Sequence, residues 1–357
     1  EATQGYWLND QAPNTEIKRI LTDSRDAEAG DAFLALKGER FDAHAFITQV
    51  AEQGCQVAIV SQPIDAEVCQ LVVPDTRLAL GQLGAYRRAQ NPQLKVIALT
   101  GSSGKTTTKE MLGSILSRIA PTLVTRGNLN NDLGVPVMLL ELRPEHQYAV
   151  MELGASHQGE IDYTSNLVQP LVAGIINIGT AHLGEFGGRD GICRAKSEIY
   201  AHIAPNGTSI VPAADDFADS IRQAVQTEQV LSFGAGGEIF ATEIELQAQS
   251  ATFKLNTPQG VRQVNLPFAG EHNVQNATAA AAFALAIGIS LDDIVLGLEQ
   301  AVGAKGRLNF IQQGRHLLID DTYNANPISL LAVAELLVHH EGVRCMLTGV
   351  IDAPCRS

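Results

Sequence analysis

Apolar residues recur in two rhythms along this chain of 357 residues. Short apolar runs bounded by Gly, Pro, Asn or Asp read as strands over 33–36, 57–61, 70–73, 96–99, 148–153, 172–178 and 208–211. Between them lie stretches with helical spacing: 43–53, stopped at Gly54, and 78–90, stopped at Asn91-Pro92. A third is marked by Met111, Leu112, Ile115, Leu116 and Ile119. Strands and helices in alternation predict an α/β fold, a mostly parallel sheet with helices on its faces. Residues 239–268 differ, because 239–250, 251–256 and 261–266 alternate apolar with polar, and Thr257-Pro-Gln-Gly260 turns between the last two. An antiparallel flap is expected there. An alanine-rich helix follows over 273–287, and 317–319 reads as a strand after the break at Gln312-Gln-Gly314. These changes divide the chain into a small α/β domain (1–82), a central domain (83–313) and the opening of a third (314–357).

The run KVIALTGSSGKTTT (95–108) places a tight glycine turn between an apolar strand and a helix start. Backbone N–H groups at such a start point toward an incoming phosphate, and the helix dipole adds partial positive charge. Lys105 is placed to reach the β- and γ-phosphates, and the Thr106 hydroxyl to hold Mg²⁺. The first glycine of the usual G-x-x-x-x-G-K-[ST] pattern is Leu99 here, yet Gly101 and Gly104 still flank the turn. The expected ligand is a nucleoside triphosphate, gripped by Gly101, Ser102, Ser103, Gly104, Lys105, Thr106 and Thr107.

A net charge of −14 with no compensating basic run argues against nucleic acid or an anionic membrane as partner. Charged residues at 18% and hydrophobic residues at 45% are a globular balance. The five cysteines show neither C-x-x-C nor metal-ligand spacing, which suits reduced thiols in a cytoplasmic protein. No apolar run has transmembrane length and no signal peptide opens the chain, so membrane insertion is not expected. The chain starts at Glu1 rather than Met, and some N-terminal sequence is expected to be missing.

Further signatures follow the glycine turn in a fixed order: GNLNNDLGVP (127–136), MELGASH (151–157), TAHL (180–183), RAKSE (194–198), GEHNVQN (270–276), KGR (305–307) and DDTYNANP (320–327). Taken together they resemble the Mur ligases, a family of ATP-dependent amide-bond formers, over about residues 20–327. The glycine turn, GNLNNDLGVP and DDTYNANP look most like the member that adds D-alanyl-D-alanine to UDP-N-acetylmuramoyl-tripeptide. The resemblance implies three domains: an N-terminal substrate domain, a central P-loop ATPase domain and a Rossmann-like C-terminal domain. Members continue well beyond Ser357, so only the beginning of the last is expected, and 347–357 departs from the family pattern.

Glu152 lies just past an apolar strand, at the end where α/β ligands bind, and a carboxylate suits a hard cation such as Mg²⁺. A solvated or helix-capping glutamate is the alternative. The resemblance assigns Glu152 to metal, with His182 at a second metal site. It further implies that Lys196 is carbamoylated by CO₂ into an anionic oxygen ligand, which needs a lowered lysine pKa because only the neutral amine attacks CO₂. The alternative is a surface lysine paired with Glu198. Asn273 and Asn276 share a helix face; the resemblance sets them against adenine, while capping by Asn273 is compatible. Arg307 carries a fork suited to phosphate.

By resemblance Asp321 accepts the ribose hydroxyls, Asn324 and Asn326 shape the acceptor side, and Asn130 and Asn131 contact the substrate peptide. Ser24 and Arg25 are expected at uridine and diphosphate, although Arg25 equally reads as a surface cation. Lys105, His182, Lys196 and Arg307 form the expected catalytic set, and Thr106, Glu152, His182 and Lys196 the metal set. ATP would phosphorylate a carboxylate, and an amine would displace the phosphate, in a monomeric enzyme. Two alternatives remain at this point: a folylpolyglutamate-synthase-type or other Mur ligase, and a catalytically incomplete nucleotide-binding fragment.

Overall fold

The structure is a computed structural model. It describes residues 2–10, 12–14, 16–38, 41–180, 183–304, 306–307, 309–314, 316–322, 330–331, 333–334, 337 and 343–347. His182, Asn324 and Asn326 therefore lie outside the described residues.

Two compact units form, one from residues 1–93 with 128–144 and one from 94–127 with 145–357. The first holds a five-stranded sheet in the order Tyr6–Trp7, Cys69–Val72, Val57–Val60, Ala32–Leu34, Ile20–Leu21, antiparallel only at the Tyr6–Trp7 edge. Period-two alternation sends Phe33, Ala58 and Val60 to one face against Ile47 and Val50. Ala32, Leu34, Val57 and Ile59 take the other face, against Ala79 and Leu80 of the helix Thr76–Ala89. Asp75 caps that helix, accepting from the N–H groups of Arg77 (2.7 Å) and Leu78 (3.0 Å).

Residues 128–144 return to this unit although 83–313 reads in sequence as one stretch. The helix Gly134–Leu140 lays Val137 and Leu140 on the same core. A Cβ on Gly84 would stand 3.0 Å from Pro136 Cα, so the two helices approach closely only because that position is glycine. Contacts formed after folding, rather than any local pattern, recruit this segment.

The second unit is built on a six-stranded, wholly parallel sheet. Its order is Gln229–Phe233, Thr208–Pro212, Val172–Ile175, Lys95–Thr100, Tyr148–Glu152, Thr122–Val124. The strand Lys95–Thr100 is the switch point, since the chain goes to the edge strand Thr122–Val124 and back to Tyr148–Glu152 on one side of it, and then outward through Val172–Ile175 on the other. In sheets of this kind ligands bind in the crevice outside the carboxyl ends of the strands at the switch point. The expected flap is present as Phe240–Leu246, Ala251–Thr257 and Gly260–Leu266, antiparallel throughout, with a register shift between Thr242 and Glu245. Its inward residues Phe253, Leu255, Val264 and Leu266 share a core with the helix Glu271–Ala286. That helix is buried on nearly all sides, which explains its run of alanines. The strand expected at 317–319 is one arm of a hairpin, Asn309–Gln313 with His316–Asp320.

Candidate functional site

The glycine turn sits at the switch point. Helix Lys105–Ser117 starts after Gly104, whose φ of +75° lies in the left-handed region, and a Cβ there would overlap Oδ1 of Asn276. Conformation and space thus both demand glycine. Ser102 and Ser103 are tied to Asn177, two residues past the neighbouring strand Val172–Ile175. Asn177 Oδ1 accepts from the Ser102 N–H (3.1 Å), the Ser103 N–H (3.0 Å) and the Ser103 hydroxyl (3.3 Å), while Nδ2 donates to Ser103 O (3.0 Å). Ser102 Oγ in turn accepts from the Gly179 N–H at 2.8 Å. The Lys105 ammonium donates to Gly101 O at 2.8 Å. Burial and the nearby Arg307 lower the Lys105 pKa, against the opposing pull of Glu152. Thr107 lies in the first helical turn.

Beside the turn, Arg307 Nη2 donates to Thr106 Oγ1 (3.1 Å), and that hydroxyl donates to Glu152 Oε2 (3.1 Å). Glu152 is 2% exposed and ends the strand Tyr148–Glu152. A polar group buried this deeply needs such a hydrogen-bond partner. Its backbone is fixed as well: the Glu152 N–H donates to Thr125 Oγ1 (3.0 Å), and fully buried Lys109 donates to Thr125 O (2.6 Å). Oxygen donors from Glu152 and Thr106 suit a hard divalent cation. Among the described residues no three of His, Cys, Asp and Glu gather into a metal cluster.

For Lys196 the alternative of a surface ion pair with Glu198 does not hold. The lysine is buried at 6% exposure on the helix Arg189–Ser197 and does not pair with Glu198. Glu198 instead accepts from the N–H groups of Gly159 (2.8 Å) and Asp162 (3.1 Å), the first turn of the helix Glu160–Val168. Burial first, then the charge of Lys105, brings the Lys196 pKa from 10.5 down to about 7. A large neutral-amine fraction is therefore present near neutrality.

The capping alternative for Asn273 does not hold either. Gly270 precedes the helix, and Asn273 Nδ2 donates back to Ala269 O (2.8 Å), while Asn276 Nδ2 donates to Asn273 Oδ1 (3.1 Å). Both are buried, with Asn276 against Gly104. Asp321 follows the strand His316–Asp320.

The remaining expected residues belong to the first unit. Ser24 and Arg25 stand in the short 3-10 turn Ser24–Asp26. Arg25 is exposed and bound through its guanidinium to Asp23, which holds the Asp23 carboxyl down at about 2. Asn131 Oδ1 accepts from the Gly134 N–H (2.8 Å) at the start of its helix, and the Asn130 N–H donates to Asn128 O (2.7 Å). Sequence reasoning missed Asn177, Thr125 and Lys109. An amide just past an apolar strand beside the glycine turn was the available signal for Asn177; Lys109 carried none, being a polar residue on a helix.

A parallel sheet carrying a phosphate-binding turn at its switch point, with a buried carboxylate and an arginine converging on the turn's threonine, defines a P-loop nucleotide-binding protein. The pattern of the Mur ligase middle domain matches residues 99–284, and that of the Mur ligase family catalytic domain matches 16–97. The chain belongs to the Mur ligase family. It is 45% identical over 343 residues to the UDP-N-acetylmuramoyl-tripeptide–D-alanyl-D-alanine ligase of Haemophilus influenzae, covering 94% of this chain and 74% of that one. A crystal structure of MurF from Acinetobacter baumannii superposes with a TM-score of 0.94 at 77% identity, over 96% of this chain and 76% of that one. MurF from Thermotoga maritima in complex with ADP gives 0.81 at 28% identity, over 91% and 75%.

Proposed function

We propose that this chain is an ATP-dependent ligase joining D-alanyl-D-alanine to UDP-N-acetylmuramoyl-tripeptide, a cytoplasmic step in building peptidoglycan precursors. The observation that carries the reading is the Arg307–Thr106–Glu152 chain at the mouth of the nucleotide turn, with Lys105 and Lys196 adjoining. It is supported by relatives and solved structures bearing that activity in their names.

The reacting groups, a carboxylate and a γ-phosphate, repel one another, so the task is charge neutralisation and alignment. The N–H groups of the first turn of the helix Lys105–Ser117 receive phosphate oxygens. Lys105 exchanges Gly101 O for the β- and γ-phosphates, and Arg307 turns its fork toward the transferring phosphoryl group. The substrate carboxylate attacks the γ-phosphorus and ADP departs, leaving an acyl phosphate. The amine of D-alanyl-D-alanine then attacks the acyl carbon, phosphate leaves with the bonding pair, and the amine proton passes to solvent. Glu152 and Thr106 would hold Mg²⁺, which supplies positive charge to the phosphates when bound. Neutral Lys196 adds through Nζ to the carbon of CO₂ and releases a proton, giving a carbamate whose oxygens join that set. His182 is assigned to the same set, and Asn273 and Asn276 to the nucleotide with Asp321. Ser24, Arg25, Asn130 and Asn131 are assigned to the UDP-linked substrate, and Asn324 and Asn326 to the acceptor.

Phosphate release measured with ATP, Mg²⁺ and the UDP-linked tripeptide tests this, with D-alanyl-D-alanine, glutamate or no amine added. Release and amide product only with D-alanyl-D-alanine, abolished in Lys105→Ala, is the expected result. Release driven by glutamate would move the chain to a folylpolyglutamate-synthase-type activity; acceptor-independent release would refute ligation.

A further inference from the structure

We propose that Asn177 is a positioning residue that takes the place of phosphate at the entrance of the nucleotide turn and so decides which N–H groups the nucleotide uses. The inference rests on the reading of residues 101–107 as a nucleotide site. Loops that cradle phosphate normally offer every backbone N–H along the turn. Here the N–H groups of Ser102 and Ser103 both point at one carboxamide oxygen, at 3.1 and 3.0 Å, with the Ser103 hydroxyl at 3.3 Å. The amide orientation is fixed by the network, because the opposite flip would set Nδ2 against two N–H donors and Oδ1 against the Ser103 carbonyl. Backbone bonds reinforce the tie, since the Ser102 N–H also reaches Asn177 O at 3.1 Å and the Gly179 N–H donates to Ser102 Oγ at 2.8 Å.

The segment carrying Asn177 is itself anchored. The Ile178 N–H donates to Asp215 Oδ2 (2.8 Å), and Arg189 Nη2 donates to Ile178 O (2.9 Å). Asn177 is thus a fixed post, and the turn is moulded onto it. With Ser102 and Ser103 satisfied internally, phosphate recognition falls to the N–H groups of Gly104, Lys105, Thr106 and Thr107. These are donors of the N-cap and first turn with no acceptor inside their own helix.

Asn177→Asp discriminates this role from a purely structural one. The carboxylate keeps the acceptor geometry and adds a negative charge beside two N–H groups at a helix start, where anions are stabilising, but it sets Oδ2 against Ser103 O where Nδ2 had donated. The melting temperature of the empty protein reads the balance of these two effects, and nucleotide affinity reads the charge. The same charge opposes a polyphosphate a few ångströms away, so ADP affinity by calorimetry should fall about tenfold or more, and less at high salt. Asn177→Ala, lacking the charge, should weaken ADP by a smaller and salt-insensitive factor. Affinity for the UDP-linked substrate should stay within twofold in both variants. ADP affinity in Asn177→Asp within twofold of the native chain would overturn the proposal, as would a lowered melting temperature with equal losses for ADP and UDP-linked substrate. A native chain that binds no ADP would instead refute the nucleotide reading beneath it.

Discussion

Replacing Lys196 by methionine removes a buried charge while keeping most of the side-chain volume, so it isolates what that charge costs the fold. Lys196 is 6% exposed, and burial together with Lys105 brings its pKa from 10.5 to about 7. The unfolded chain regains the ordinary value. Between these two limits the unfolded state binds more protons than the folded one, so stability rises with pH across the window. The cost is complete below about pH 7 and disappears as the pH passes 10.5. At about 1.4 kcal/mol per unit, the penalty is about 5 kcal/mol at pH 6 and about 2 kcal/mol at pH 9. Lys196→Met escapes it, so its stability advantage over the native chain should shrink by about 3 kcal/mol between those pH values. Contributions common to both proteins cancel in this difference. Urea unfolding of metal-free, CO₂-depleted protein, read by resistance to a protease pulse, measures it. A difference that stays constant with pH would refute the argument, because it would mean that the folded lysine titrates as an exposed one does.

Gly104→Ala should abolish measurable ADP binding in calorimetry and lower stability by about 1–2 kcal/mol from the left-handed φ alone, with the overlap on Asn276 adding to this. Retained ADP affinity would show that the turn is not the nucleotide site. Thr106→Val should destabilise by about 1–3 kcal/mol, since Glu152 loses a donor and Arg307 an acceptor. The thermal midpoint and ADP calorimetry read both consequences, and no change in either would contradict the assigned chain.

Local chemistry was enough to read the nucleotide turn, because a glycine turn between strand and helix fixes its own geometry within ten residues. The parallel sheet, the antiparallel flap and the buried alanine helix were legible for the same reason, since hydrophobic period follows from each element's own repeat. Glu152 was legible as well, as a carboxylate at a strand end. Sequence did not show that Arg307, some two hundred positions downstream, closes on Thr106, or that residues 128–144 pack with the first unit. It left a surface ion pair with Glu198 open as the alternative for Lys196, whereas the fold buries Lys196 beside Lys105 and spends Glu198 on a helix start. Asn177 became a brace only once its strand lay next to the one that leads into the turn. Periodicity and turn chemistry act over a few residues and are written into the chain; burial, and with it a shifted lysine pKa or a captured N–H, depends on which distant segments exclude water from the same place.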